Sequence, residues 1–128
     1  MPRQEYFSPE TLPPTRGYSQ VVKVGNTVYI AGQVGITIDG NVVSKGDAAA
    51  QARQIWQNLE AAVKAAGGDL ENIVKTTTYV TDITHSAAAR QVRAELFPTN
   101  PPTSTLLVVS QLASPDYLME IEAIAVVD

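Results

Sequence analysis

Residues 118–126 read Leu-Met-Glu-Ile-Glu-Ala-Ile-Ala-Val, and seven of these nine residues are apolar. A run this short and this apolar predicts a β-strand, around which we expect the rest of the chain to be organised. Residues two apart on a strand share a face, so Glu120 and Glu122 should point the same way. A carboxylate in so apolar a stretch must be paired, hydrogen-bonded or protonated. The two glutamates therefore indicate one of two arrangements. Either both carboxylates lie on a solvated sheet face and accept hydrogen bonds from loop backbone, or one of them is a general acid or base at the mouth of a pocket.

The chain ahead of this strand contains the signals of four further strands and two helices. Strands are predicted at residues 19–24, 27–33, 74–80 and 103–109, and helices at residues 47–66 and about 86–97. Asp47 is a suitable N-cap for the first helix, and Gly67-Gly68 ends it. Ser86 or Thr84 is the expected cap of the second helix. Residues 1–16 hold four prolines and are predicted to form an extended arm.

The resulting order, β-β-α-β-α-β-β, predicts the fold class α+β, with a mixed β-sheet and two helices packed on one of its faces. Single strands between the helices require crossover connections, which place both helices on the same side of a sheet. The other face is then bare. Because few charges lie on its strands, further copies of the chain are its natural cover. A length of 128 residues supports one domain, residues 1–128.

Composition excludes several classes of function. The chain has no cysteine, which excludes disulfides, thiolate nucleophiles and thiolate metal sites. Its net charge of −4, with no run of basic residues, argues against a nucleic-acid partner. His85 is the only histidine, so the sequence predicts neither a metal site nor a Ser-His-Asp triad. No apolar run is long enough to span a membrane, which predicts a soluble, cytoplasmic protein.

Several short stretches, taken together, resemble the RidA family, which is also called the YjgF or L-PSP family. The matching stretches are residues 17–20 (Gly-Tyr-Ser-Gln), 31–33 (Ala-Gly-Gln), 50–54 (Ala-Gln-Ala-Arg-Gln), 74–77 (Val-Lys-Thr-Thr), Asp82 and 120–126 (Glu-Ile-Glu-Ala-Ile-Ala-Val). They follow in the family's order and spacing over nearly the whole chain. The resemblance implies a chorismate-mutase-like fold and a homotrimer with clefts between neighbouring subunits.

The resemblance also implies an activity. Deaminating members hydrolyse reactive 2-imino or 2-enamino acids to 2-keto acids and ammonia, and they use neither a cofactor nor a metal. Glu120 matches the residue that shuttles the proton, and Tyr18 matches the cleft tyrosine that closes over the substrate. The backbone at Ala31 and Gly32 matches a wall of the pocket. Thr105 lies in the stretch that carries the substrate-binding motif.

Thr103 departs from the family's pattern. Deaminating members have a Pro-x-Arg-Ser motif whose arginine binds the substrate carboxylate, whereas residues 101–105 of this chain read Pro-Pro-Thr-Ser-Thr. Thr103 therefore stands where the arginine should be, as in subgroups of the family that lack this residue. A threonine hydroxyl cannot replace a charged bidentate contact. Arg90 or Arg16 could supply the cation from another wall of the cleft, or both could be solvated surface residues.

The pattern leaves two functions open. The first is hydrolytic deamination of a small reactive imine or enamine by Glu120, with a substrate altered, or an activity weakened, by Thr103. The second is a non-catalytic trimer that binds a small metabolite or a protein partner in its clefts. Ribonuclease activity, which has been attached to some relatives, fits the acidic charge least. Glu122 is predicted to bond to backbone or to Lys75.

Overall fold

The architecture is that of a computed structural model, which describes residues 3–128. The strands are β1 (Gln4–Phe7), β2 (Val21–Val24), β3 (Thr27–Val34), β4 (Ile73–Val80), β5 (Thr103–Val108) and β6 (Met119–Val126), and the helices are α1 (Ala48–Ala65) and α2 (Ser86–Leu96). Short 3-10 turns at Leu70–Asn72 and Ile83–His85 precede β4 and α2. The predicted order of strands and helices is confirmed, with one further strand at its beginning.

The six strands form one sheet in the order β1-β2-β3-β6-β4-β5, so β6 lies inside it. β6 pairs antiparallel with both β3 and β4, whereas β4 and β5 run parallel. The sheet is therefore mixed, as predicted. Buried residues alternate along β6, at Met119, Ile121, Ala123 and Ala125. The apolar run at residues 118–126 thus supplies one whole face of the central strand to the core.

Both helices lie on the face to which these buried residues point. α1 places Ile55, Leu59 and Val63 in the same apolar cluster as the buried β6 residues, at the spacing of four that the sequence shows. α2 packs beside α1, and the rings of Trp56 and Phe97 meet edge to face with centroids 5.3 Å apart. The predicted layer of two helices on one sheet face is confirmed.

The predicted ends of α1 are confirmed, but the start of α2 differs. The Asp47 carboxylate accepts a backbone N–H of the first turn of α1 at 3.0 Å. Gly67 follows the helix with a φ of 92°, a conformation that favours glycine. Neither predicted cap of α2 holds that position, because Ser86 is already helical and Thr84 lies in the preceding 3-10 turn. Asp82 caps that turn instead and accepts the Thr84 N–H at 2.9 Å.

The N-terminal segment differs from the predicted extended arm. Gln4–Phe7 form β1, which pairs antiparallel with Val21–Val24. Four residues among prolines are too short a run to show a strand pattern, but the edge of β2 offers backbone partners that stabilise them. Met1 and Pro2, which belong to the predicted arm, lie outside the described residues.

Within residues 3–128, the second face of the sheet carries no helix, and we call it the open face. It is formed by side chains that include Tyr6, Tyr29, Lys75, Thr77, Tyr79, Leu107, Glu120, Glu122 and Ile124. Several are exposed apolar groups: Tyr6, Tyr29 and Leu107 are 63%, 49% and 46% exposed. The open face therefore joins an apolar surface to the two glutamates of β6.

Gln51 joins α1 to two loops although its side chain is fully buried. Its amide group donates to the carbonyl oxygens of Ser44 at 3.2 Å and Asp116 at 3.1 Å, and its oxygen accepts the Leu118 N–H at 3.0 Å. Gln51→Leu keeps the volume but removes the partners of three backbone groups. We expect the free energy of unfolding to fall by about 2–4 kcal/mol, measured by urea denaturation at a fixed protein concentration.

Gln57→Leu is the matched control for this prediction, because Gln57 lies on the exposed side of the same helix. Its free energy of unfolding should change by less than about 0.5 kcal/mol. Equal losses in the two variants would show that the three hydrogen bonds of Gln51 contribute nothing beyond helix propensity.

Candidate active site

β6 holds Glu120 and Glu122 on the open face, as their spacing of two predicts. Glu120 lies between Val34 of β3 and Tyr79 of β4, and Glu122 lies opposite Thr77 of β4. Glu120 is partly buried by its neighbours, whereas Glu122 is exposed. The two carboxylates share a face but have different environments.

A bulge in β3 brings the backbone of Gly32 beside Glu120, and Ala31 lines the same concavity as Glu122. The register of β3 with β6 shifts between Ile30 and Gln33, where β3 contains one extra residue. A Cβ atom added to Gly32 would overlap the Glu120 carboxyl, with its carbon Cδ only 2.8 Å away. Gly32 admits the carboxyl because it has no side chain. The structure thus brings together Glu120 and Gly32, which the resemblance placed in one pocket, and Ala31 precedes Gly32 in the bulge.

The environment of Glu120 changes its proton affinity. Burial raises the pKa of the Glu120 carboxyl above its ordinary value, and the negative charge of Glu122 raises it further. Both effects disfavour the ionised form, because the carboxylate loses hydration and gains a like charge nearby. A carboxyl whose pKa moves towards neutrality is better suited to give and take protons than an ordinary surface glutamate.

Glu122 has a partner that the sequence did not predict. The Tyr79 hydroxyl donates to Glu122 Oε1 at 2.6 Å, where we expected a bond to backbone or to Lys75. This hydrogen bond is the largest cause that raises the pKa of Tyr79, followed by burial and the charges of the two glutamates. One signal in the sequence could have indicated this hydrogen bond. The period of two along β4 places Lys75, Thr77 and Tyr79 on one face, which is the face that carries Glu122.

Beside Glu122, the open face forms a concavity of about 370 Å³. Ala31, Tyr29, Lys75 and Thr77 are among its walls. A concavity of this size accommodates a small organic molecule. Lys75 also supplies a positive charge in this wall, whereas the sequence predicted the cation of the site only among the arginines.

Thr103 and Thr105 reach the open face from β5, where they pair with Lys75 and Thr77 of β4. The Thr103 hydroxyl donates to the Val74 carbonyl oxygen at 3.1 Å. The short side chain of Thr103 is therefore held against the backbone of the sheet. The position expected to carry an arginine is occupied by a neutral group whose donor is already used.

Arg90 lies on the other side of the sheet from Glu120, whereas Arg16 and Tyr18 lie in the loop before β2. Arg90 is exposed on α2, which covers the opposite face of the sheet, because the crossover connections put both helices there. Arg16 is exposed in the loop before β2. Tyr18 is 59% exposed in the same loop and lines a separate concavity of about 420 Å³ that includes Pro13. Arg90 therefore does not reach Glu120 in its own chain, and the roles of Arg16 and Tyr18 stay predictions.

Residues 3–128 contain neither a side-chain cluster for a metal ion nor a helix that could span a membrane. No group of three or more His, Asp or Glu side chains in this part of the chain is arranged to hold a metal ion. None of its helices is long and apolar enough to cross a membrane. His85 lies in the 3-10 turn before α2, outside the site described above.

Comparison with known sequences gives matches along nearly the whole chain. The family model described as endoribonuclease L-PSP matches residues 9–127. A RutC family protein of Pyrococcus horikoshii is 37% identical over 96% of this chain and 97% of its own. A 3-aminoacrylate deaminase RutC of Acinetobacter baylyi is 33% identical over 98% of both chains. A 2-iminobutanoate/2-iminopropanoate deaminase of Dermatophagoides farinae is 31% identical over 99% of this chain and 98% of its own.

Solved structures agree with the sequence matches. The crystal structure of yeast Mmf1 superposes with a TM-score of 0.92 at 31% identity, covering 98% of this chain and 100% of that chain. The YjgF gene product of E. coli superposes with a TM-score of 0.87 at 35% identity, covering 95% of this chain and 98% of that chain. The mixed sheet, the two helices and the sequence matches together show that this chain belongs to the RidA family.

Proposed function

We propose that the protein hydrolyses a small reactive imine or enamine to a carbonyl compound and ammonia, with Glu120 as the general acid and base. The observation that carries this proposal is the fit of a partly buried Glu120 carboxyl, whose pKa is raised, against the bare backbone of Gly32. Two relatives named as deaminases support the reaction class. A carboxyl with perturbed proton affinity, on the same sheet face as the concavity beside Glu122, favours an enzyme over the alternative, a non-catalytic protein that binds a metabolite or a protein partner.

One carboxyl group can serve both halves of the hydrolysis. Ionised Glu120 takes a proton from water as the water oxygen bonds to the imine carbon, and it passes this proton to the imine nitrogen. It then takes the hydroxyl proton of the resulting amino alcohol and passes it to the same nitrogen. The C–N bond breaks, ammonia leaves and the C=O bond forms. An enamine enters the same route once a proton has moved from its nitrogen to its carbon.

The assembly we propose is a homotrimer with a chorismate-mutase-like fold, in which the open faces of three subunits meet and the substrate binds in the clefts between them. Exposed apolar side chains on the open face, Tyr6, Tyr29 and Leu107, support this arrangement, because an assembly would cover them. In such a trimer, Tyr18 and Arg16 would approach Glu120 from a neighbouring subunit, whereas Arg90, on the helix-covered side of the sheet, would lie on the outside. Sedimentation equilibrium should then give three times the mass of the chain.

The test of the reaction is ammonia release from 2-iminopropanoate, which an amino-acid oxidase generates in the assay. We expect the protein to release ammonia faster than buffer does. The assay should also include 3-aminoacrylate and an uncharged imine, because Thr103 alters the expected preference. No acceleration with any of the three substrates would reject the deaminase and favour the non-catalytic alternative.

Thr103 is expected to limit the activity on imines that carry a carboxylate. Its hydroxyl already donates to Val74 and offers no charged bidentate contact. We expect Thr103→Arg to raise kcat/KM for 2-iminopropanoate by about 10- to 100-fold, the effect of one charge-assisted contact. The value for an uncharged imine should stay nearly constant. Thr103→Met adds length without charge and is the control, and an arginine variant no better than the methionine variant would contradict the prediction.

A further inference from the structure

The hydrogen bond between Tyr79 and Glu122 has no part in the reaction proposed above, which uses Glu120 alone. We propose that Tyr79 is a positioning residue, whose hydroxyl holds the Glu122 carboxylate in one orientation beside Glu120, so that its negative charge acts on Glu120. The inference rests on the proposed function of Glu120. It gives a role to two side chains that the family resemblance leaves without one.

The register of β4 and β6 sets the geometry. Tyr79 pairs with Glu120 and Thr77 pairs with Glu122, so Tyr79 and Glu122 are diagonal neighbours on the open face. Diagonal neighbours on antiparallel strands lie within reach of an aromatic side chain. The Tyr79 hydroxyl lies 2.6 Å from Glu122 Oε1. The tyrosine side chain therefore begins opposite one glutamate and ends at the other.

This arrangement has an electrostatic consequence. A short hydrogen bond from a phenol hydroxyl to a carboxylate oxygen holds the carboxylate in one orientation. Beyond the effect of burial, the negative charge of Glu122 disfavours a second negative charge on Glu120 and raises the pKa of the Glu120 carboxyl. The pKa of Tyr79 is itself raised, so its hydroxyl keeps the proton that it donates.

The other groups that face Glu120 compete little with this effect. β4 contributes Tyr79 and, at the far end of the paired segment, Lys75. The β3 residues beside Glu120 carry no charge, and β5 presents threonines and a leucine on this face. Among the described residues, Glu122 is thus the negative charge closest to Glu120 in register. The orientation of Glu122 decides how strongly that charge acts on Glu120.

The test is a measurement of the pKa of Glu120. The carboxyl-carbon NMR signal of Glu120 in the intact chain is recorded during a pH titration. Tyr79→Phe removes the hydroxyl and keeps the ring, and Glu122→Gln removes the charge. We expect both variants to lower the pKa of Glu120, with the larger shift in Glu122→Gln. Tyr6→Phe is the matched control, because the Tyr6 hydroxyl lies on the far edge strand of the same sheet and also donates to a side chain, at 2.9 Å from Gln4 Oε1. It should leave the pKa of Glu120 unchanged.

Two outcomes would overturn the proposal. In the first, the pKa of Glu120 falls in Glu122→Gln but keeps its wild-type value in Tyr79→Phe, and Tyr79 then has no positioning role. In the second, the pKa of Glu120 is unchanged in both variants, and neither Tyr79 nor Glu122 then affects Glu120. The titration needs no substrate, so a failure of the Tyr79 role is distinguishable from a failure of the deaminase proposal, which the ammonia assay tests. In an active protein, the acidic limb of kcat/KM should also move to lower pH in both variants, a shift that a purely structural tyrosine would not produce.

Discussion

Glu120→Gln is expected to lower kcat for imine hydrolysis by about 100- to 10,000-fold, the usual contribution of a general acid–base group. Glutamine keeps the size of the side chain but can neither take nor return a proton at this site. The carboxyl lies against the bare backbone of Gly32, and an amide of the same shape fits there. The loss should therefore come from the chemical step rather than from folding. Ammonia release at several substrate concentrations separates kcat from KM.

Glu71→Gln is the matched control, because Glu71 is an exposed carboxylate on the 3-10 turn before β4. This variant should keep the wild-type rate, and both variants should melt close to the wild-type temperature. A Glu120→Gln protein with wild-type kcat would show that another group moves the protons. The assignment of the reaction to this face of β6 would then fail.

Gly32→Ala is the second substitution for which we expect a large effect. Gly32 does not have a positive φ, so an alanine at this position would adopt the same backbone conformation without strain. The added methyl group would instead overlap the Glu120 carboxyl and displace it from the bulge of β3. We expect kcat to fall by about 100-fold or more, and the free energy of unfolding to fall by about 1–3 kcal/mol from overpacking.

A double-mutant cycle shows whether Gly32 acts through Glu120. Glu120→Ala removes the atoms that the new methyl group would meet, so Gly32→Ala should cost much less stability in that background. Urea denaturation of the four proteins should give a coupling energy of about 1–2 kcal/mol. An equal cost in both backgrounds would mean that Gly32→Ala disturbs the bulge itself, independently of Glu120.

The central strand was predictable because its signal is local. The alternation of buried and open residues along β6 depends only on the sequence order within residues 118–126, and it placed both glutamates on one face. The apolar stripe of α1 and the residues that begin and end this helix, Asp47 and Gly67, were predictable for the same reason. β1 was missed because Gln4–Phe7 have little strand character of their own, and they become a strand only by pairing with β2.

The sequence by itself determined the family, the helix-covered sheet and the identity of Glu120 as the candidate proton carrier. Only the tertiary structure decided that Glu120 fits against Gly32, that Glu122 bonds to Tyr79, and that Arg90 lies behind the sheet. The physical reason is that a strand pattern reports which face a residue takes, but not which residue it meets. That choice depends on strand register, on one bulge in β3 and on the side to which the crossovers carry the helices, and the packing of the whole sheet sets all three.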